Sequence, residues 1–354
     1  MEPVQVDGSM GEGGGQLLRA ALAISAITGR PVRVFNVRAR RSRPGLQRQH
    51  LASVRALAEL SGARVEGARL GSTELTFYPG RVRGGEFTFD IGTAGSVTLL
   101  LQAVMPVMAV ADGPVKVRVI GGTDVPKAPP IDYVRFVLRQ LLARMGLELS
   151  IELLRRGHYP RGGGDVVVSK EGPVRLRPIE LVSSGKALRV GGLSHCVRLP
   201  SHVAFRQARA AEEVLRALGV PVKVDVEYYE PGKDPHLGPG SGMVLWATTE
   251  RSVLGGDSLG ERGKPAEEVG REAARSLLED LSTGMALDRH ASDMLLIYAA
   301  LASGVTRLGG ARLTSHALTM VKLLGLILPE AQVKLLSGSE GGPFIVEVRG
   351  AGLS

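Results

Sequence analysis

Near the start of the chain, the pattern of apolar and polar residues changes several times between the period of a strand and the period of a helix. Short alternating segments have the period of strands, and longer apolar runs have helical length. The predicted elements are, in order, strand 3–8, helix 13–28, strand 31–37, helix 48–61 and strands 64–70 and 74–78. The pattern therefore predicts a β-α-β-α-β-β unit.

The same order of elements occurs again further along the chain. The second copy consists of strand 87–91, helix 97–110, strand 114–119, helix 131–145 and strands 147–154 and 164–169. A third copy near the C-terminus consists of helix 290–301, strand 305–308, helix 318–328 and strands 333–336 and 344–348. Its first strand is expected at 189–193 or at 197–199.

Residues 184–284 interrupt this repetition with an amphipathic helix, an alternating segment, another strand and a long helix. About a hundred residues is a common domain size, so we predict an inserted α+β domain. The predicted fold class is α+β with α/β-type repeats. Three β-α-β-α-β-β units form a large pseudo-threefold domain, 1–183 and 285–354, with the smaller domain inserted in the third unit. The centre that the repeats share is the expected cleft.

Composition excludes several classes of protein. The single cysteine, Cys196, excludes an internal disulfide framework and a cysteine-based zinc site. No segment has the length and apolar character of a membrane span, and the first residues lack the pattern of a secretory signal, so we expect a cytoplasmic protein. A net charge of +9 favours a polyanionic partner.

A glycine turn, 11–15, stands directly before the first predicted helix. Unpaired N–H groups and the positive end of the helix dipole make such a helix start a natural place for a phosphate. Arg19 would add a positive charge, and Glu12 could hold a divalent metal against the same phosphate. The alternative is a tight strand-to-helix connection without a ligand. The spacing fits neither a P-loop nor a dinucleotide fingerprint.

Arginine recurs through the segment 38–48, and Gln49 and His50 extend its polarity. Guanidinium groups bind phosphate oxygens in pairs, which suits a triphosphate or an RNA end. A solvated basic loop is the alternative. A second cluster, 156–165, has three consecutive glycines after a basic and aromatic stretch. It predicts either a bulged strand edge or a close approach of the backbone to a ligand.

His316 stands in a short polar stretch, 313–319, that begins the last predicted helix. A neutral imidazole at this place has an available nitrogen lone pair, which suits nucleophilic attack on phosphorus. A capping or packing role is the alternative.

Several motifs, in this order along the chain, closely resemble the RNA 3′-terminal phosphate cyclase family. They are Gly-Glu-Gly-Gly-Gly-Gln at 11–16 with Arg19, the segment 38–50, Gly-Gly-Thr-Asp at 121–124 with Ala-Pro-Pro at 128–130, and Gly-His-Tyr-Pro-Arg-Gly-Gly-Gly at 157–164. The resemblance covers essentially the whole chain and is weakest across the insert. The fold of that family, three β-α-β-α-β-β units with an α+β domain inserted in the last, agrees with the repeats.

The resemblance implies a ligase-class enzyme that uses ATP and a divalent metal, Mg²⁺ or Mn²⁺, to convert an RNA 3′-phosphate to a 2′,3′-cyclic phosphate. A histidine attacks the α-phosphate of ATP to give a covalent histidine-AMP and pyrophosphate. AMP then passes to the RNA 3′-phosphate, and the adjacent 2′-OH attacks the activated phosphorus and expels AMP. His316 matches this histidine, so the implied partners are ATP and RNA 3′ ends that carry a phosphate.

The resemblance also implies further site residues. Glu12 matches the metal-binding carboxylate. The residues that match the phosphate and RNA-end region are Arg19, Arg38, Arg41, Gln49 and His50. The residues that match nucleotide contacts are Gln102, Pro130, His290, Asp293 and Met294. Relatives have Tyr at position 290 and Gln at position 294, so this chain keeps a ring for stacking and loses an amide hydrogen bond to adenine.

Two other functions compete with cyclisation. A non-catalytic RNA-binding relative that acts in ribosome assembly would be expected to lack the nucleophile, and His316 is present. The basic motifs and the chain length argue against a small-molecule transferase such as an enolpyruvyl transferase. The sequence leaves open the physiological RNA, the preferred metal, the role of the insert and the oligomeric state.

Overall fold

The structure is a computed structural model that describes residues 2–353. Its first sheet has the order β1-β2-β4-β3. The alternation seen in the sequence produces β2, in which Val32 and Val34 are buried and Arg33 is exposed. The elements of this unit are β1 (Val4–Asp7), α1 (Gly15–Thr28), β2 (Val32–Phe35), α2 (Arg48–Ser61), β3 (Arg64–Glu66) and β4 (Leu75–Tyr78). The first two strands are parallel and the other pairs are antiparallel.

The second sheet repeats that order as β5-β6-β8-β7. Its elements are β5 (Gly85–Asp90), α3 (Val97–Ala109), β6 (Val115–Gly121), α4 (Ile131–Tyr133), a π-helical segment (Val134–Leu138), α5 (Arg139–Arg144), β7 (Ser150–Arg155) and β8 (Gly164–Lys170). Again the first pair of strands is parallel and the others are antiparallel. Both predicted copies of the β-α-β-α-β-β order are therefore present.

A two-residue strand, β9 (Glu180–Leu181), comes before a sheet of different topology, with the order β11-β10-β12-β13. The elements of this region are β10 (Ala187–Val197), α6 (His202–Leu215), a 3-10 turn (Arg216–Leu218), β11 (Val222–Glu227), β12 (Gly240–Thr249), β13 (Val253–Leu259) and α7 (Ala266–Ser282). Helices α6 and α7 contact each other and cover this sheet. The apolar residues between them form a second hydrophobic core, separate from the main one.

The remaining elements form a sheet with the order β15-β16-β14-β9. They are α8 (Ala291–Leu301), β14 (Ser303–Gly310), α9 (Ser315–Ile327), β15 (Gln332–Gly338) and β16 (Phe344–Ala351). The first strand of this unit is β9, which pairs in parallel with β14. The expectation of that strand at 189–193 or 197–199 is therefore wrong, because the first range lies inside β10 and the second lies at its end. Two residues are too few for a strand period to show in the sequence.

Helix α1 lies at the centre of the main core. It contacts α2, α3 and α9, and its residues 17–26 are all buried. Alanines at several of these positions let the neighbouring helices approach closely, which explains the small-residue character of the sequence. The packing brings the glycine turn before α1 to the start of α9.

Among the described helices, none combines the length and the apolar character that crossing a bilayer requires.

Candidate active site

The glycine turn before α1 lies directly against α9. Gly11 has a φ of +59°, and a Cβ at this position would lie 2.2 Å from the Oγ1 of Thr319. Only glycine fits both the backbone angle and this close approach. The Nε2 of Gln16 also donates a hydrogen bond to the carbonyl of His316, at 3.3 Å. The N-terminal ends of α1 and α9 thus meet at one place.

The imidazole of His316 lies at this meeting point, and its side chain is 46% exposed. Its Nε2 is 3.3 Å from Oε2 of Glu12, and its Nδ1 is 3.8 Å from Oδ2 of Asp293. The helix cap is Thr314, whose Oγ1 accepts a hydrogen bond from the N–H of Ala317 and donates one to Oδ1 of Asp293. The cap is therefore complete without the imidazole, which remains accessible.

A cavity of about 780 Å³ opens in front of His316. This volume lies within the range of small-molecule sites. The predicted residues that line it are Glu12, Arg19, Gln102, His290, Asp293, Met294 and His316. The structure thus brings together residues from both ends of the chain and from α3.

Glu12 lies at the mouth of this cavity with its side chain 49% exposed. Its Oε1 accepts a hydrogen bond of 2.5 Å from Ser315, and its Oε2 is 3.6 Å from Nη2 of Arg41. The Ser315 hydroxyl, with smaller contributions from His316 and Arg41, holds the pKa of Glu12 below its ordinary value. An ionised, accessible carboxylate fits Mg²⁺ or Mn²⁺, which proteins bind through one or two carboxylates together with phosphate oxygens and water.

Arg19 reaches the cavity from within α1, although its side chain is only 6% exposed. Burial lowers its pKa to about 10, so the guanidinium keeps its charge at neutral pH. No group among residues 2–353 accepts a hydrogen bond or ion pair from it. A buried cation without a carboxylate costs free energy, and an anion in the cavity would supply the missing partner.

His50 lies beneath the glycine turn and packs against Gly15, where a Cβ would be 2.4 Å from its Nε2. Its Nδ1 accepts a hydrogen bond from the N–H of Gln47, which caps α2. Burial, with the nearby charges of Arg19 and Arg38, lowers the pKa of His50 to about 3, so the ring is neutral. His50 therefore supports the turn from below and is not part of the cavity lining.

Three other residues predicted for the phosphate and RNA-end region lie outside the cavity lining. Arg41 lies at the rim beside Glu12. Arg38, which has a φ of +55°, donates to the carbonyls of Arg43 and Gly45 and braces its own loop. Gln49 lies in the first turn of α2 and is partly buried.

His290 directly precedes α8 and lines the same cavity. Its Nε2 is 3.2 Å from Oδ1 of Asp257, and its ring meets that of Tyr133 edge-on at 5.2 Å. Burial opposes protonation, but the hydrogen bond and charge of Asp257 outweigh it and raise the pKa of His290 to about 9. The ring of His290 is therefore an imidazolium at neutral pH. Burial also raises the pKa of Asp293, to about 7.

Pro130 is buried at the start of α4 and does not line the cavity, whereas its neighbour Pro129 does.

The lining also contains charged residues that sequence reasoning missed: Lys127, Asp257, Lys264, Glu272 and Arg312. Lys127 lies within the 121–130 motif and Arg312 directly precedes the polar stretch of His316, so both had a signal in the sequence. The other three come from residues 257–272, and only the fold brings them to this cavity.

Fold and cavity together define a mixed α+β protein whose charged cleft contains an accessible histidine. The family described as RNA 3′-terminal phosphate cyclase has a model that matches residues 10–333. The chain therefore belongs to the RNA 3′-terminal phosphate cyclase family.

Relatives with that name match along nearly the whole chain. The RNA 3′-terminal phosphate cyclase of Hyperthermus butylicus is 61% identical over 98% of both chains. That of Ignicoccus hospitalis is 57% identical over 98% of both, and that of Methanopyrus kandleri is 52% identical over 99% of this chain and 100% of its own. A solved structure of the enolpyruvyl transferase NikO from Streptomyces tendae aligns with a TM-score of 0.42 and 13% identity. The chain spans 49% of that protein.

Proposed function

We propose that this protein is an ATP-dependent RNA 3′-terminal phosphate cyclase, a ligase that forms a 2′,3′-cyclic phosphate at RNA 3′ ends. The observation that carries the mechanism is the accessible imidazole of His316, which faces a cavity beside Glu12 and the unpaired guanidinium of Arg19. Every step is a substitution at phosphorus, which depends on positioning and on neutralised charge.

In the first step His316 attacks the α-phosphorus of ATP. The lone pair of Nε2 forms the N–P bond while the bond to the bridging oxygen breaks, and pyrophosphate leaves. Asp293, whose Oδ2 is 3.8 Å from Nδ1, would in its ionised form keep the ring proton on that nitrogen and leave Nε2 free to attack. Glu12, now 3.3 Å from Nε2, must turn away from the ring when ATP binds.

Cationic groups around the glycine turn would hold the phosphates. Arg19, Lys127 and Arg312 line this cavity, and Gln16 in the first turn of α1 brings the positive end of the helix dipole to it. Glu12 would hold the divalent metal, which neutralises phosphate charge when it is bound. The same groups serve the second step, in which a 3′-phosphate oxygen attacks the His316 adenylate and RNA takes the AMP.

The nucleobase would lie between His290 and the segment 126–129 on the other side of the cavity. A protonated His290 is attracted to the π-face of adenine. Gln102 supplies an amide to the lining of the cavity, and Met294 supplies an apolar side chain.

The proposed domains are 1–183 and 285–354 for the large domain and 184–284 for the insert. Three sheets with the same strand order support a pseudo-threefold large domain, and the separate core beneath α6 and α7 supports an independent insert. A cytoplasmic location stays a prediction.

A cyclisation assay tests the proposed function. RNA with a labelled 3′-phosphate, ATP and Mg²⁺ or Mn²⁺ should give a product whose label resists phosphatase, with one AMP formed per cyclised end. Replacement of His316 by Ala should abolish the product, whereas replacement of His202, an exposed histidine on α6, should not. RNA binding without product would favour the non-catalytic alternative.

A further inference from the structure

A buried cluster of two imidazoles and one carboxylate lies away from the cavity of His316. Asp124 lies in the loop after β6, His158 lies between β7 and β8, and His195 lies on β10. Their exposures are 1%, 6% and 1%. None of the three lines the cavity, and the mechanism above gives them no role.

We propose that this cluster binds a divalent transition-metal ion of the zinc type. The ligands are Nε2 of His158, Nε2 of His195 and Oδ1 of Asp124. Two imidazoles and a carboxylate are a donor set that zinc accepts, and a water molecule can take the fourth position. The ion is distinct from the metal that would accompany ATP at Glu12.

The distances within the cluster suit such an ion. The Nε2 atoms of His158 and His195 are 3.2 Å apart, and Nε2 of His195 is 3.9 Å from Oδ1 of Asp124. Two ligands of a tetrahedral zinc, each at about 2.0 to 2.1 Å from the metal, are about 3.3 Å apart. The three ligand atoms lie within 4.8 Å of one another, so a small shift of the carboxylate towards the imidazoles completes the coordination.

One oxygen of the Asp124 carboxylate has hydrogen-bonding partners, and the other has none among the described residues. Its Oδ2 accepts a hydrogen bond of 2.6 Å from Thr123 and lies 3.4 Å from Nη1 of Arg156. Within residues 2–353, no donor reaches its Oδ1, which is fully buried. A buried carboxylate oxygen without a donor is costly, and a metal ion would satisfy it. Thr123 and Arg156 thus act as outer partners that orient a ligand.

Charged groups surround the carboxylate of Asp124. The guanidinium of Arg156 lies within 3.4 Å of Asp124 and 2.7 Å of both Asp132 and Glu227. Arg135 is the second cation of the group and pairs with Asp132. The closer partners of Arg156 are thus Asp132 and Glu227, and its contact with Asp124 is the longest of the three.

Both imidazoles are in the form that a metal requires. Burial lowers the pKa of His158 and of His195, and for His195 the charge of Arg156 acts in the same direction. Neutral rings offer a nitrogen lone pair to the ion.

Two glycines of β12 leave the space that the rings occupy. A Cβ at Gly240 would lie 2.0 Å from Cγ of His158, and a Cβ at Gly242 would lie 3.0 Å from Cε1 of His195. The site is therefore built from the second sheet, from β10 and from β12. Strand β12 pairs with β13, whose residues Asp257 and Leu259 line the nucleotide cavity. A metal here would fix the inserted sheet against the second unit and so hold one wall of that cavity.

Metal analysis of the full-length, untagged protein tests the proposal. After incubation with ZnCl₂ and dialysis, we expect one zinc per chain by mass spectrometry, and a higher Tm than in the metal-free protein. His195→Gln and Asp124→Asn should bind zinc at least about tenfold more weakly. Loss of even an outer partner of a ligand lowers metal affinity by about this factor. Two control variants, His202→Gln on the surface and Glu12→Gln at the ATP cavity, should keep the zinc.

Absence of bound zinc in the wild-type protein, or equal zinc content in His195→Gln, would overturn the proposal. If the variants do not fold, X-ray absorption of the zinc-loaded wild-type protein decides the question. We expect two imidazole nitrogens at about 2.0 Å. A shell of oxygen ligands alone would contradict the site.

Discussion

Nε2 of His316 lies 3.3 Å from Oε2 of Glu12, so a ring from the start of α9 meets a carboxylate from the turn before α1. The two residues stand at opposite ends of the sequence, and close packing of α1 against α9 brings them together. The pair links the proposed nucleophile to the proposed metal ligand. Activity should therefore depend on this contact between helices as well as on the two side chains.

Glu12→Gln removes the charge and keeps the shape of the side chain. We expect adenylation of the protein to slow by about 100-fold, because the phosphate charge is then less well neutralised. The rate should also need a higher metal concentration. Rapid-quench measurements at several Mn²⁺ concentrations check this, with Glu59→Gln on the exposed face of α2 as the control. An unchanged metal response would remove Glu12 from the metal site.

Arg19→Met exchanges a buried, unpaired guanidinium for an apolar chain of similar length. We expect the Tm to stay equal or to rise, since burial of the charge is costly, while kcat/KM for ATP falls by about 10- to 100-fold. Thermal unfolding and steady-state kinetics measure the two effects. Arg55→Met, at an exposed position of α2, should change neither. A fall in Tm without a change in kinetics would show that Arg19 is structural.

Asp257→Asn removes the partner that raises the pKa of His290 from 6.5 to about 9. A raised pKa means that the folded state holds the proton more tightly, so the pair stabilises the fold fully below pH 6.5. This contribution is lost as the pH rises through about 9. The variant should therefore have a lower Tm than the wild type at pH 6, and the difference should shrink by about pH 10.

Thermal unfolding across this pH range checks the prediction, with Asp225→Asn on the exposed side of β11 as the control. A difference in Tm between the wild type and Asp257→Asn that stays constant with pH would show that His290 does not titrate as proposed.

Gly11→Ala places a Cβ 2.2 Å from Oγ1 of Thr319 at a φ of +59°. We expect a loss of about 1 to 3 kcal/mol in the free energy of unfolding, together with slower adenylation because α1 and α9 are forced apart. Denaturant unfolding measures the first effect. Adding Thr319→Ala should restore part of the stability, since it removes the clash and leaves the backbone strain. If Thr319→Ala restores none of the stability lost in Gly11→Ala, the contact with Thr319 is not the cause of the loss.

Much of the fold could be predicted because the periods of strand and helix are clear where each element is long. Strand β2 alternates buried valines with an exposed arginine, and α1 is an uninterrupted apolar run. Strand β9 could not be predicted, since two residues show no period and only pairing with β14 defines them. The longer alternation of β10 led to the wrong placement.

Site residues could be predicted from the sequence where they lie within a short motif, as Glu12, Arg19 and His316 do. Asp257 and Lys264 line the same cavity, but they are distant in sequence from the other site residues, and only the tertiary fold brings them there. The cluster of Asp124, His158 and His195 is another example. Its members come from three separate segments with no ligand spacing to recognise.

Incubation with α-³²P-labelled ATP and a divalent metal, followed by denaturing electrophoresis and mapping of the labelled peptide, tests the central claim most directly. We predict a labelled protein band that is stable to alkali, is released by acid as expected for a P–N bond, and maps to His316. The band should be absent in His316→Ala and present in His202→Ala. A label that persists in His316→Ala, or a wild-type protein that cyclises RNA without forming a labelled band, would contradict the proposed mechanism.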